Sequence, residues 1–154
     1  MRALTTRPPP MNHRPISATL LLVCSGVCLA EATAAERPYD GRWAVLLVCP
    51  DTQDRTGLVK GYQYSFSVSI KDGALQGEYG APGHPASVAY TGQVGDDGTL
   101  EIRATGNTGR SDFSVGKVAQ GTQYNYTMQG RLEGSRGQAT RRELRPCTAT
   151  FSRL

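Results

Sequence analysis

From Tyr62 to Lys71 apolar and polar residues alternate without a break: Tyr62, Tyr64, Phe66, Val68 and Ile70 are interleaved with Gln63, Ser65, Ser67, Ser69 and Lys71. A two-residue period puts every apolar side chain on one face of an extended strand, and no helix can do that with this pattern. One face must be covered by segments that read the same way, and the chain supplies them. Lys71-Asp72-Gly73 is a hairpin turn, because Asp and Gly tolerate the left-handed backbone it needs. Beyond it Leu75, Gly77 and Tyr79 share a face, followed by Val88, Tyr90, Gly92 and Val94. Gly95 to Gly98 turns the chain, and Leu100, Ile102 and Ala104 alternate next. After the long stretch Gly106 to Gly121, with a short strand expected at Phe113 to Val115, come Tyr124, Tyr126, Met128, Gly130 and Leu132. Glu133 to Gly137 turns again, Gln138 to Leu144 reads as a polar strand, and Cys147, Ala149 and Phe151 form the last inward set. Trp43 to Cys49 is an apolar strand that precedes them all. No helical period of useful length occurs.

Eight consecutive strands with one apolar face each predict an all-β fold, an eight-stranded antiparallel up-and-down barrel, because closure removes both edge strands. A two-sheet β-sandwich is the competing architecture.

Residues 1–35 read as a signal peptide. Arg2, Arg7 and Arg14 precede an apolar run from Ile16 to Ala30, and the small residues Ala32 to Ala35 follow. A retained anchor helix is the alternative. Lipidation at Cys24 is disfavoured by Val23, where a small residue belongs. Residues 36–154 are then one exported domain, periplasmic or secreted. In an oxidising compartment the remaining pair, Cys49 and Cys147, is expected to form a disulfide. If the first and last strands run antiparallel through that bond, paired residue numbers sum to 196. Leu47 then faces Ala149, Val45 faces Phe151 and Trp43 faces Arg153, and the apolar parity of both strands agrees.

Asp40-Gly41-Arg42-Trp43 resembles the Gly-x-Trp opening of the calycin superfamily, which includes lipocalins and avidins. In those families an arginine near the end of the last strand lies across that tryptophan and closes the barrel floor. The resemblance therefore implies a floor of Trp43 and Arg153. Lys71 to Tyr79 also resembles the second hairpin of avidin-like barrels. The chain lacks the C-terminal helix of lipocalins, and it has one Trp where avidins use several to enclose biotin. It is also similar to small exported bacterial proteins without an assigned function.

Connection lengths give the barrel two different ends. Lys71 to Gly73, Gly95 to Gly98 and Glu133 to Gly137 are tight. Pro50 to Gly61, Gly80 to Pro85 and Gly106 to Gln123 are long, and in a meander they share one end with the short link between the last two strands. That end is a mouth, where function concentrates. Aromatic rings fill much of the inward set, so the interior is expected to be mostly filled, with room for one small ligand near the mouth. Tyr62, Tyr64, Tyr79, Tyr90, Tyr124 and Tyr126 need partners for their hydroxyls. They are the candidate ligand-binding residues, with His84 and Arg110 from the mouth loops. The inward glycines Gly77, Gly92 and Gly130 are expected to leave space beside the rings. The alternative is that the hydroxyls simply reach solvent at the rim.

Removing Arg2, Arg7, Arg14 and Glu31 takes the formal charge from +4 to +2, too mild for a nucleic-acid groove or a polybasic membrane patch. After leader removal no membrane partner is expected. His84 is the only histidine outside the leader, which makes a His-rich metal site or a catalytic triad hard to assemble, and no cofactor is expected. Alone, it reads as a solvated loop residue rather than a general base. Asp96-Asp97 is a turn, and Arg141-Arg142 occupies oppositely facing positions. Asp51, Asp54, Arg55, Lys60, Arg110, Asp112 and Lys117 are expected around the mouth. No nucleophile elbow, phosphate loop or paired-His motif occurs. The expectation is a non-catalytic barrel binding an unknown small molecule at its mouth. The alternative is a module, such as a periplasmic protease inhibitor or accessory domain, that binds an exported protein through its long loops. Bacterial metalloprotease inhibitors are small disulfide-bearing barrels of this general kind, although their cysteines are placed differently.

Overall fold

A computed structural model describes residues 37–154; the leader expected over 1–35 lies outside the described residues. In chain order the strands are β1 (Gly41–Cys49), β2 (Thr52–Asp54), β3 (Gly57–Val59), β4 (Tyr62–Lys71), β5 (Ala74–Tyr79) and β6 (Ser87–Val94). They continue with β7 (Thr99–Asn107), β8 (Gln123–Glu133), β9 (Arg136–Arg141) and β10 (Cys147–Arg153). Eight of them close a barrel in the order β1-β10-β9-β8-β7-β6-β5-β4, and β2 and β3 form a separate hairpin. Every pairing is antiparallel. The barrel, not the sandwich, is the fold.

Closure occurs in the expected register. Trp43 pairs with Arg153, Val45 with Phe151 and Leu47 with Ala149. The Cys49–Cys147 disulfide sits at the top of this pair of strands, its Cα atoms 4.3 Å apart and its cysteines 98 positions apart in sequence. A one-residue slip would turn Val45, Leu47 and Phe151 outward, so burial and the disulfide enforce the same register.

The inward residues make one continuous core, in which Trp43, Leu47, Leu75, Leu100, Ile102, Met128, Leu132 and Phe151 are fully buried. The intervening residues, such as Ser65, Ser67, Gln76, Glu101, Arg103, Thr127 and Gln138, face water. Gly92 and Gly130 do not leave room beside rings, as their inward position suggested. A Cβ on Gly92 would lie 2.3 Å from the Glu101 carbonyl oxygen, and one on Gly130 would lie 1.9 Å from that of Gln138. Glycine is needed there because coiled neighbouring strands approach too closely for any side chain.

The floor is sealed by the segment before β1. The Asp40 carboxylate accepts the N–H groups of Asp72 (2.7 Å) and Gly73 (3.1 Å), which form the β4–β5 turn at φ of 52° and 77°. The Trp43 Nε1–H donates to the Tyr39 carbonyl (3.0 Å). The Arg153 guanidinium lies 5.7 Å from the Trp43 ring and donates to the carbonyls of Pro38 (3.0 Å) and Asp40.

Three local expectations change. The Pro50–Gly61 loop contains the β2–β3 hairpin. Phe113 to Val115 is not a strand but falls in two 3-10 turns, Ser111–Phe113 and Val115–Lys117, because Gly116 (φ 73°) and Lys117 (φ 51°) take left-handed backbone that breaks extension. The strand expected over Gln138–Leu144 is β9, and it ends at Arg141; Leu144, at φ 62°, bends the link to β10. At its other end a tight turn at Gly134-Ser135 starts β9 at once.

Candidate binding site at the barrel mouth

The long connections meet at one end and are tied to each other. The Asp54 carboxylate accepts the Gly116 N–H (2.6 Å) and both donors of Thr56 (2.6 Å each). These bonds hold it down to about 2. The Lys117 ammonium donates to the Leu58 carbonyl (2.5 Å). Lys60 pairs with Asp112 (3.1 Å), and its N–H donates to the Asp112 carbonyl (2.8 Å). Arg110 reaches the same carboxylate (3.2 Å), and the Asp112 carboxyl lies below its ordinary range because of these cations, Lys60 first. Of the charged residues expected around the mouth, Asp54, Lys60, Asp112 and Lys117 fasten the β2–β3 hairpin and the residue after it to the β7–β8 connection.

Arg145 completes the fastening. Only 3% exposed, it donates from Nη1 to the Phe113 carbonyl (2.9 Å) and from Nη2 to the carbonyls of Pro50 (2.5 Å) and Lys60 (3.2 Å). Three mouth segments thus converge on one guanidinium, which also lies 5.1 Å from the Tyr62 ring.

Beneath these loops is a cavity of about 440 Å³. Tyr62, Tyr64, Tyr79, Tyr124 and Tyr126 line it, with Phe113, Val88 and Val118. Tyr64 stacks on Tyr79 with ring centres 4.2 Å apart, and Tyr124 stacks on Tyr126 at 5.8 Å. The Tyr64–Tyr79 stack lies just past the end of the β4–β5 ladder, whose last pair is Val68 and Gly77. Aromatic contact there replaces hydrogen bonding as the two strands diverge.

Of the candidates, five tyrosines and Arg110 line the cavity. Tyr79 is 37% exposed at the rim. Tyr90 lies beneath, buried, with its hydroxyl 3.1 Å from that of Tyr126 and 3.7 Å from the Met128 sulfur. The Tyr124 hydroxyl donates to the Ser87 carbonyl (3.1 Å). Burial pushes Tyr62, Tyr64, Tyr90, Tyr124 and Tyr126 above the ordinary phenol range, so all five remain protonated donors at neutral pH. His84 does not join them: it is exposed on the β5–β6 loop and does not line the cavity. Among the described residues no group of three or more His, Cys, Asp or Glu side chains converges on one point.

Sequence reasoning missed Arg141 and Arg145, both in the cavity wall. Arg141 pairs with Cys147 in the β9–β10 ladder and faces inward, its guanidinium 4.1 Å from the Tyr126 ring. The signal was available, since the parity that puts Ala139 inside puts Arg141 inside too. Nothing in the sequence marked Arg145. Leu144 was also missed; it is 78% exposed at the cavity rim in left-handed backbone.

Compared with known proteins, the chain matches no family model, no curated protein and no solved structure.

Proposed function

We propose that the protein is an exported, non-catalytic barrel of calycin-like form that holds one small molecule in the cavity at its mouth. The observation that carries this reading is the cavity itself. At about 440 Å³ it is in the size range of small-molecule sites, and its lining sets six aromatic rings and five aliphatic side chains beside polar groups that include three arginines. The floor supports the same reading: with Trp43 and Arg153 sealing that end, the mouth is where a ligand enters. The disulfide is compatible with an oxidising, exported location. The polar outer face of the strands suits a barrel in water, since a lipid-facing barrel reverses that pattern.

The test is titration of the oxidised protein with N-phenyl-1-naphthylamine, a neutral apolar probe whose emission rises on leaving water. Saturable one-to-one binding is expected, and Ser114→Trp, which places a large ring in the cavity wall, should weaken it. Absence of saturable binding to the folded protein overturns the reading. The alternative, a protein-interaction module, draws on the exposed apolar rim residues Leu58, Val118 and Leu144. It requires a protein partner whose footprint covers those three.

A further inference from the structure

The charge lining the cavity is one-sided. Arg110, Arg141 and Arg145 are in its wall, and no aspartate or glutamate is. Arg110 already shares Asp112 with Lys60. Arg141 and Arg145 have no ion pair among the described residues. The nearby acids, Asp51 beside Arg145 and Glu143 beside Arg141, act on the arginines only through space, and their hydrogen bonds go to other groups. Glu143 accepts from the Thr127 hydroxyl (2.6 Å) and the Arg142 N–H (3.3 Å), and Asp51 accepts from the Gly61 N–H (2.5 Å).

A guanidinium 3% exposed is costly to bury unless something neutralises it. The three carbonyls around Arg145 satisfy hydrogen bonds but do not cancel its charge, and its buried Nε has no hydrogen-bond partner among the described residues. Arg141 uses its Nε on the Glu143 carbonyl (3.0 Å), and its two Nη groups have no partner among the described residues. The hydroxyl of Tyr62 has none among the described residues either, whereas that of Tyr64 is engaged with the hydroxyls of Tyr90 and Tyr126. These groups are held in register. Arg141 pairs with Cys147, Cys147 is bonded to Cys49, and Cys49 pairs with Tyr62, so four adjacent strands carry one layer of the wall.

We infer that the ligand is an amphipathic organic anion, its carboxylate or sulfonate against Arg141 and Arg145 and its flat apolar body along the Tyr64–Tyr79 stack. The free Nη pair of Arg141 presents two donors in one plane, the arrangement that takes two oxygens of an oxyanion together. The phenol of Tyr62 adds a donor and no competing charge. Val88, Val118 and the stacked rings then remove the organic body from water.

This inference rests on the binding reading above, and a matched pair of probes separates the two. 8-Anilinonaphthalene-1-sulfonate differs from N-phenyl-1-naphthylamine only by its sulfonate. The oxidised protein, with near-UV circular dichroism confirming native packing, should bind the sulfonate at least about tenfold more tightly at low salt. Rising sodium chloride should shrink that advantage. Arg141→Met should reduce the ratio of dissociation constants to near unity, and Arg141→Lys should restore part of it. Arg145 also fastens three segments, so its substitution confounds charge with folding; Arg141, in the barrel wall, is the diagnostic position. Binding of the neutral probe without preference for the sulfonate, or a preference that survives Arg141→Met, overturns the inference and leaves the binding reading standing. Failure of both probes overturns both.

Discussion

Removing the cross-link between the first and last barrel strands tests how the fold is held closed. Cys49 and Cys147 are 98 positions apart, so the bond constrains most of the unfolded barrel chain. For a loop of that size the chain-entropy relation gives on the order of 16 cal/mol/K, about 4.7 kcal/mol at 25 °C. Both cysteines are nearly inaccessible, Cys49 at 1% and Cys147 at 2%, so the paired change Cys49→Ala and Cys147→Ala adds a packing loss. Structure retained in the reduced unfolded chain acts the other way. The net expectation is a loss of about 3–5 kcal/mol, with the barrel still closed because β1 and β10 remain paired from Trp43–Arg153 to Val48–Thr148. Equilibrium urea unfolding, followed by Trp43 emission and far-UV circular dichroism, measures it. With a slope of about 1.5 kcal/mol/M the midpoint should fall by about 2–3 M. A midpoint within about 0.5 M of the oxidised parent's, with the parent's disulfide verified by mass, would refute the view that this bond limits the unfolded chain.

Three other outcomes are expected. Arg153→Ala removes a cation from beside Trp43 and two hydrogen bonds to the floor segment, so Trp43 emission should change and stability should fall by about 1–2 kcal/mol; an unchanged spectrum argues against the contact. Leu144→Gly relieves left-handed backbone at φ 62° and should raise stability by about 1 kcal/mol in urea while weakening probe binding, because the rim loses an apolar wall. The Asp54 carboxyl is depressed from 3.8 to about 2, chiefly by the Gly116 N–H. The stability it contributes is therefore present above the unfolded value and lost as pH falls through the folded one. The protection factor of the Gly116 amide, its exchange rate relative to the intrinsic rate at each pH, should fall between about pH 4 and pH 2, before the barrel strands open, and Asp54→Asn should show the lowered protection at neutral pH.

Much of the barrel is legible from parity alone. The alternation from Tyr62 to Ile70 continues in the burial of Val68 and Ile70 and in the partial burial of Tyr62, Tyr64 and Phe66. The same logic placed Val45 against Phe151. It also carried the answer for Arg141, which shares its face with Ala139, but a polar strand with one small inward residue gave no reason to ask which arginine turned inward. Leu144 and Lys117 could not be anticipated, because their left-handed backbone runs against what such residues prefer in isolation. The inward glycines were read as making space, whereas Gly92 and Gly130 mark contact between backbones that only the coiling of the closed sheet produces.

The sequence by itself determined the number of barrel strands, from a local period of two, and the register that closes them, from the parity a buried face imposes on strands joined by the Cys49–Cys147 pair. The cysteine pair itself is expected of an exported chain, and the tryptophan–arginine floor is implied by the calycin resemblance, with the register setting Trp43 opposite Arg153. Only the tertiary structure decided the mouth. Its segments have no period, and their path is set by bonds between residues far apart in the chain: Asp54 with Gly116, Lys117 with Leu58, and Arg145 with Pro50, Lys60 and Phe113. The cavity, its one-sided charge and the burial of Arg145 exist because those segments converge, and convergence is a property of the closed barrel that no window of sequence contains.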